Sequence, residues 1–336
     1  MKIYENRSFV ASLVFTTIVI VFIFKYISLN DIFNAVNSVQ IKYILVGFIF
    51  HILAYFFRTL VFYSFLKKDR ISFFYLLYIH FIQNFYVHIV PASLGEFSFP
   101  LLLKKRIDMA KSFSVLVISR IISLALIFLL FLTSGIYLFN FHRIIALRNN
   151  IFTLLICSGL TLLIILLVVA FRIKYKIYIQ NVIKNNKSFN KINNKLINIY
   201  IKIKSEMIQL KNVRFIFKII LYSLLALLCS MLFSIILLKG INIELNIFQV
   251  IFVSSIGVAF LILPIKSIGG FGTTEGSWAI GLMLFGITKQ TALQAGFVVH
   301  IFALFNVIFL FLIGIIFNTI NNRKMGFINK NEDNET

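Results

Sequence analysis

The chain has 336 residues, of which 60% are hydrophobic and 13% are charged, whereas a water-soluble domain has about 25% charged residues. This composition excludes a soluble globular protein. The net charge of +22 comes from Lys and Arg scattered among apolar segments, which argues against nucleic acid binding and leaves attraction to anionic phospholipid or a Lys-rich genome composition.

Eight long apolar stretches are candidate membrane helices, because about 20 apolar residues are needed to cross a bilayer. They lie at about 9–27, 41–66, 71–90, 112–139, 151–171, 215–238, 247–263 and 292–317. The first has no small-residue cleavage site and is therefore interpreted as a membrane helix rather than a signal peptide. Two shorter stretches, 93–103 and 276–286, each follow a break marked by proline and glycine. No alternating strand pattern occurs, so the sequence predicts an all-α membrane helix bundle.

The Lys and Arg residues of the loops predict the orientation. We take the N-terminus as cytoplasmic and treat 71–103 and 247–286 as hairpins that enter and leave on one side. The cytoplasmic segments then hold most of the 33 Lys and Arg residues. The prediction is a multi-pass protein of the cell (plasma) membrane with about six full crossings, two re-entrant helical hairpins and both termini cytoplasmic.

The two halves of this topology have the same order of elements: crossing, crossing, hairpin, crossing. Because three crossings are an odd number, the second half is expected to be inverted. The first repeat is predicted at 1–150 with its tip at 91–96. The second is predicted at 151–171 and 215–320 with its tip at 264–275, followed by a polar tail at 321–336. Paired interrupted helices indicate a transporter's midplane site; the alternative is chance combined with ordinary helix kinks.

The segment 172–214 between the halves carries the densest charge. Apolar residues recur in it every three or four positions, with lysines among them: Ile192, Leu196, Ile199, Ile203, Met207 and Leu210. This pattern predicts a basic amphipathic linker helix on the cytoplasmic side, in contact with anionic inner-leaflet lipid. A plain solvated loop is the alternative.

Two arginines lie within apolar stretches, where an ionisable group is costly unless it is paired or hydrated. Arg58 lies eight residues before Leu66 and Arg120 lies eight residues after Ser112, so both are ~12 Å from the cytoplasmic ends of their helices. Two guanidiniums at one depth could bind a phosphate. The alternative is that each pairs with a carboxylate and holds helices together.

The first tip runs from Pro91 to Glu96, with Gly95 permitting a tight reversal. The short helix after it begins with unpaired N–H groups. Glu96 could therefore be a cap stabilised by the helix dipole. It could also be a partner of Arg58 or Arg120 that gives way to a lipid phosphate, or a proton carrier.

The second tip contains the other candidate binding residues, Lys266, Gly269, Gly270, Gly272 and Glu275. Three glycines in four residues permit close approach of the backbone to a ligand. Thr273 or Thr274 is the expected cap of the following helix. Lys266 and Glu275 could pair with each other or hold a zwitterionic group.

No metal or catalytic signature is visible in the sequence, so we expect no metal, no cofactor and no enzymatic activity. His80 and His88 are eight residues apart and are interpreted as interfacial packing residues, while His51 and His300 are isolated. Cys157 and Cys229 lie in apolar runs and are interpreted as packing residues.

Taken in order, these features resemble the transmembrane region of lysylphosphatidylglycerol synthases, which is also found as stand-alone flippase-like proteins. The residues that carry the resemblance are Arg58, the segment from Pro91 to Glu96, Lys104 to Arg106, Arg120, and the segment from Pro264 to Glu275. The resemblance covers nearly the whole chain. It implies a module that moves an aminoacylated phospholipid between leaflets, or lipid-linked sugars, since related proteins are joined to glycosyltransferase domains.

The sequence departs from similar proteins at three positions. They usually have a Glu-Arg pair and an Asp three residues later, where this chain has Ser119-Arg120 and Ser123. They often have an arginine in the last helix, where His300 stands. The soluble aminoacyl-transferase domain is absent, so this chain alone is not expected to make a lysyl-lipid.

Three hypotheses for function follow. The first is a translocator of a phospholipid or polyprenyl-linked lipid. The second is an intramembrane lipid-phosphate transferase with Glu96 or Glu275 as the base. The third is a non-transporting membrane partner of a separate synthase or glycosyltransferase.

Overall fold

The computed structural model describes residues 17, 24–90, 94–141, 201–203, 205–206, 208–209, 212–261 and 267–333. In these residues all regular structure is helical, and no strand occurs. The helices are α1 (Leu29–Ser38), α2 (Ile41–Leu66), α3 (Phe73–Ile89), α4 (Ser98–Leu103), α5 (Met109–Phe141), α6 (Val213–Gly240), α7 (Ile247–Leu261), α8 (Thr273–Met283) and α9 (Lys289–Asp333).

Four helices in the described ranges are long and apolar enough to cross a bilayer. They cover Ile41–Asp69, Met109–Leu138, Val213–Gly240 and Lys289–Phe317. These spans confirm the predicted stretches 41–66, 112–139, 215–238 and 292–317. The predicted crossings 9–27 and 151–171 lie outside the described residues. Large apolar side chains such as Leu129 and Leu312 are exposed on the spans, as expected for helices that face acyl chains.

Each predicted break separates a longer helix from a shorter one. In the first half, α3 is followed by a 3₁₀ turn at Leu94–Phe97 and by α4. In the second half, α7 is followed by a 3₁₀ turn at Ile268–Gly270 and by α8. Both interruptions therefore occur where proline and glycine predicted them.

Equivalent helices of the two halves of the chain make equivalent contacts. We call α2–α5 the first half and α6–α9 the second half. The first helices of the halves, α2 and α6, pack on each other. The long arm of each hairpin packs on the last helix of the other half, α3 on α9 and α7 on α5, while each short arm packs on the last helix of its own half. The two halves are thus interlocked.

The helix α1 was not predicted from the sequence. Ser28 caps it: its Oγ accepts from the Asp31 N–H at 3.1 Å, and Asp31 Oδ2 accepts from the Ser28 N–H at 3.0 Å. These hydrogen bonds from the Ser28 hydroxyl and N–H hold the pKa of Asp31 below its ordinary value. Ile32 is buried, while Leu29 and Phe33 are exposed, so α1 is amphipathic.

An ion-pair cluster joins the described residues of the linker to the start of α5. Lys111 Nζ lies 2.8 Å from Asp69 and 3.8 Å from Glu206, and Lys202 lies 3.8 Å from Asp108. Burial raises the pKa of Glu206 above its ordinary value, and the Lys111 charge opposes this shift. The described linker residues between 201 and 209 are helical and turn polar side chains towards this cluster.

Replacing Lys111 with methionine is expected to lower the free energy of unfolding by about 1–3 kcal/mol, because Asp69 and Glu206 lose their shared cation. Lys105→Met is a matched control, since Lys105 is exposed. The thermal unfolding midpoint of the protein in detergent measures both variants. Equal midpoints for the two variants would show that the cluster contributes nothing to stability.

The C-terminal segment is helical. The backbone of α9 continues to Asp333, through most of the polar tail predicted at 321–336. The segment has no proline to end the helix, and lysine and glutamate are good helix formers.

Candidate functional site

The first tip is joined to α5 by a two-point ion pair. Arg120 Nε donates to Glu96 Oε2 at 3.0 Å, and Arg120 Nη2 lies 2.9 Å from Glu96 Oε1. Of the predicted alternatives for Glu96, this geometry matches the one in which it pairs with Arg120. The pair is accessible, since 42% of the Arg120 side chain is exposed. Its net charge is zero.

Arg58 on α2 lies near this pair but has no carboxylate of its own. Among the described residues, no Asp or Glu oxygen lies within 4 Å of its guanidinium. Its guanidinium carbon is 5.8 Å from the centre of the Tyr55 ring. The charges of Arg120 and Glu96 both act on it. Arg58 therefore contributes one positive charge at membrane depth that no described carboxylate balances.

Buried polar atoms without hydrogen-bond partners occur on α3 and α4, on either side of the first tip. His80 Nδ1 is 3.1 Å from the hydroxyl of Thr59, the residue after Arg58, while His80 Nε2 has no partner. The charges of Arg58 and Arg120 act on His80. Ser98 Oγ is also buried and has no partner within hydrogen-bond distance, while Asn84 Nδ2 lies near the Tyr55 hydroxyl without meeting strict hydrogen-bond geometry. In this part of the molecule, some buried polar atoms therefore make no hydrogen bond with the described residues.

His80 was predicted to be an interfacial packing residue, and in the structure its ring packs inside the helix bundle. The ring is buried, with 2% of the residue exposed, and stacks on Phe99 at 5.2 Å. A signal was available in the sequence. His80, Asn84 and His88 recur every four residues on the mostly apolar α3, a spacing that places them on one helix face.

Gly95 lies against the backbone of α3. A Cβ built there would be 2.6 Å from Val87 Cα and would also overlap the Tyr86 carbonyl. Because real side chains do not approach a backbone so closely, glycine is required here for packing. The binding role predicted for Gly95 stays a prediction.

The second tip is closed by a buried acid–histidine pair. Glu275 is fully buried, and its carboxylate accepts from the Gly272 N–H at 2.6 Å and contacts His300 Nδ1 at 2.7 Å. His300, with 3% of the residue exposed, also places Nε2 3.0 Å from the Gly269 carbonyl oxygen. His300 was treated as an isolated histidine in the sequence analysis. The predicted alternative partner of Glu275, Lys266, lies outside the described residues.

The hydrogen bonds of His300 determine how many protons the pair holds. Both ring nitrogens face oxygen atoms that accept hydrogen bonds, and a neutral imidazole has only one N–H. Either His300 is an imidazolium beside a carboxylate, or it is an Nε2–H imidazole beside a protonated Glu275. In both forms one proton lies between Nδ1 and Oε1.

The glycines of the second tip are required by its backbone. Gly269, Gly270 and Gly272 have φ values of 67°, 78° and 85°, a left-handed region that favours glycine. A Cβ at Gly270 would also lie 3.4 Å from His300 Nε2. Local conformation thus accounts for these glycines, and their predicted contact with a ligand stays a prediction.

The cap predicted for α8 is wrong. Gly272 is the N-cap residue, and its N–H is bound by the Glu275 carboxylate. The Thr273 hydroxyl donates instead to the Gly270 carbonyl at 3.0 Å. A glutamate three residues after the N-cap can accept from the N-cap N–H. The Thr273 hydroxyl therefore bonds within the preceding turn instead.

The two acid–base pairs, Glu96–Arg120 and Glu275–His300, occupy equivalent positions in the two halves. Arg120 is eleven residues after Met109, the start of α5, and His300 is eleven residues after Lys289, the start of α9. Their acidic partners precede them by 24 and 25 residues. Each half therefore ties its tip to its own last helix, with an accessible pair in the first half and a buried pair in the second.

No group of three or more metal-ligating side chains is found in the part of the chain that the structure covers. Cys229 is buried, as expected of a packing residue, while Cys157 is outside the described ranges.

A protein-family model described as the lysylphosphatidylglycerol synthase TM region matches residues 9–314. This match spans both halves and both tips. No curated protein and no solved structure matches the chain.

Proposed function

The chain belongs to the lysylphosphatidylglycerol synthase transmembrane-region family and is a multi-pass membrane protein, and from this premise we propose that it is a lipid translocator. It moves a phosphate-containing polar lipid, or a lipid-linked sugar, between the leaflets. The polar head binds between the two halves while the acyl or polyprenyl chains stay in the bilayer.

Arg58 is the observation that carries this proposal. A cation at membrane depth costs several kcal/mol when it is unpaired, and no described carboxylate pairs with Arg58. A phosphodiester supplies the missing charge, and a guanidinium binds phosphate oxygens in a two-point geometry. Arg120 lies close enough for its charge to act on Arg58 and is the second group that a phosphate can reach.

The symmetric contacts of the two halves support an inverted repeat with two re-entrant hairpins. The described part of the first tip packs on α3 and α4, and the described turn of the second tip also packs on α3 of the first half. Interrupted helices at matching places are the usual position of a transporter's substrate site. In this proposal the protein lies in the plasma membrane with cytoplasmic termini, and the linker 172–214 contacts anionic inner-leaflet lipid. A separate synthase or glycosyltransferase supplies or consumes the lipid.

A transferase role for Glu96 or Glu275 has less support. A general base needs a free carboxylate within reach of the proton that it removes. Glu96 already accepts a hydrogen bond from Arg120, and Glu275 is buried and shares a proton with His300. These contacts favour translocation without a chemical step over a transferase reaction.

The test is headgroup movement in liposomes that contain the purified protein and a labelled lipid. We expect Arg58→Ala to reduce the rate at least about tenfold, the effect of losing ~1.4 kcal/mol of phosphate binding, and Arg58→Lys to retain part of it. Arg214→Ala is a matched control, because Arg214 is exposed at the start of α6. A folded wild-type protein that moves none of the phosphate-containing lipids would overturn the proposal.

A further inference from the structure

The closed form of the second tip contains one ionisable proton that its hydrogen bonds require. His300 Nε2 is 3.0 Å from the Gly269 carbonyl oxygen, and His300 Nδ1 is 2.7 Å from Glu275 Oε1. Because both oxygens accept hydrogen bonds, the two contacts need two hydrogens. A neutral imidazole supplies one of them. The other is the proton that His300 and Glu275 share.

The closed geometry is that of the one-proton form of the pair. Glu275 has no exposed surface, and 3% of His300 is exposed, so water does not reach the contact between them. Without the shared proton, the carboxylate would face the lone pair of Nδ1, and its described donor would be the Gly272 N–H alone. A buried charge is costly unless it is paired and hydrogen-bonded. Loss of the proton therefore favours separation of the two side chains.

Other ionisable groups lie on the helices around the pair. In the described residues, α8 packs on α7 and α9, α9 also packs on α1, α2, α3 and α6, and the turn of the second tip packs on α3. No ionisable residue occurs in α7. Apart from tyrosines, the ionisable residues on α1, α2, α3, α6 and the apolar part of α9 are Asp31, Lys42, His51, Arg58, His80, His88, Arg214, Lys218, Cys229, Lys239 and Lys289. Among the described residues, His300 is the ion-pair partner of Glu275, so the proton at this contact belongs to these two groups.

Opening of the tip to water changes the number of bound protons. A carboxyl and an imidazole in water together hold one proton between about pH 4.3 and 6.5 and none above that range, whereas the closed pair holds one. Opening is therefore insensitive to pH within this range. Above about pH 6.5, opening releases one proton, and it becomes up to about tenfold more favourable for each further pH unit.

We infer that the Glu275–His300 pair is a proton-binding site that holds the second tip closed and lets it open when the proton leaves. The turn that the pair closes packs on α3 of the first half, so its opening loosens a contact between the halves. The first tip has no equivalent control, because the Arg120 guanidinium does not lose its proton in proteins. The consequence for lipid movement rests on the proposed function, while the proton site does not.

Hydrogen–deuterium exchange of the wild-type protein in detergent, read by mass spectrometry, measures the opening of both tips at once. The amides of Gly270, Gly272 and Gly276 are hydrogen-bonded in the closed second tip, so they exchange when it opens. After correction for the intrinsic pH dependence of exchange, we expect the second tip to give a constant rate between about pH 5.5 and 6.5. Above this range its rate rises by up to about tenfold per pH unit, while the first tip, Leu94–Phe97, stays constant. Equal profiles for the two tips overturn the inference.

Glu275→Gln removes the ionisable proton and keeps the shape of the side chain. The glutamine amide donates to His300 Nδ1 and accepts from the Gly272 N–H, so the tip is expected to stay protected at every pH. Glu244→Gln is the matched control, because Glu244 is exposed, and it keeps the wild-type profile. His300→Gln, a second variant without this proton, is expected to exchange faster with no pH dependence. A wild-type slope in either folded variant overturns the inference.

Lipid movement in proteoliposomes separates this inference from the proposed function. We expect the wild-type rate to rise with pH in parallel with exchange at the second tip, and Glu275→Gln to move lipid slowly at every pH. A second tip that opens with pH in a protein that moves no lipid supports the proton site and contradicts translocation. Lipid movement by a protein whose second tip is insensitive to pH overturns the proton site and leaves translocation standing.

Discussion

Replacing His300 with alanine is expected to lower the free energy of unfolding by about 3–5 kcal/mol, the usual cost of leaving one member of a buried acid–base pair without its partner. Glu275 is fully buried, and His300 is one of its two hydrogen-bond partners. The variant also loses the contact between His300 Nε2 and the Gly269 carbonyl. Equilibrium unfolding in mixed micelles measures the change.

Two further variants separate lost packing from an uncompensated charge. Leu312→Ala removes an exposed apolar side chain from the same helix and is expected to change stability by less than about 1 kcal/mol. Adding Glu275→Gln to His300→Ala removes the buried carboxyl and is expected to restore part of the loss. If the double variant is less stable than His300→Ala alone, the loss is one of packing.

The two halves differ in the charge and the solvent exposure of the residues around their tips. The first half has an accessible pair and the additional cation Arg58. The equivalent position of the second half, seventeen residues after Val213, is Ser230, which has no charge. The second pair is sealed from solvent and fixes its tip to α9. The first tip is thus held by a solvent-accessible ion pair and the second tip by a buried pair.

The spans and both breaks could be predicted because they depend on local chemistry. A membrane helix is an apolar run of sufficient length. Pro91 and the glycine-rich segment 269–272 interrupt such runs whatever surrounds them. The pairing of Glu96 with an arginine was also within reach, because an isolated charge in an apolar segment needs a partner.

The partner of Glu275 could not be predicted, because it depends on which helices pack together. Lys266 is nine residues away in sequence, whereas His300 is 25 residues away and on another helix. Only the packing of α8 on α9 brings His300 to the carboxylate. The same reason applies to His80 on α3, whose ring reaches Thr59 on α2 and Phe99 on α4. The helix α1 was missed because it is short and lies in a loop between longer apolar stretches.

Replacing Gly95 with alanine is expected to reduce lipid movement at least tenfold. Its Cβ would be 2.6 Å from Val87 Cα, and because the obstacle is the α3 backbone rather than a flexible side chain, the tip must move away. Overpacking of this kind costs about 1–3 kcal/mol. Glu96 is the next residue, so this displacement pulls it from Arg120 and disturbs the site at Arg58. Proteoliposome transport measures the loss.

Gly276→Ala is the matched control, since it places the same methyl group near the other tip. A Cβ at Gly276 meets no atom within 4 Å, and alanine favours a helix over glycine by up to about 1 kcal/mol. Transport and stability are therefore expected to be unchanged or slightly higher. If both variants lose transport equally while folded, the tips are sensitive to any added bulk. If only Gly95→Ala loses it, the seating of the first tip on α3 sets the geometry of the Glu96–Arg120 pair.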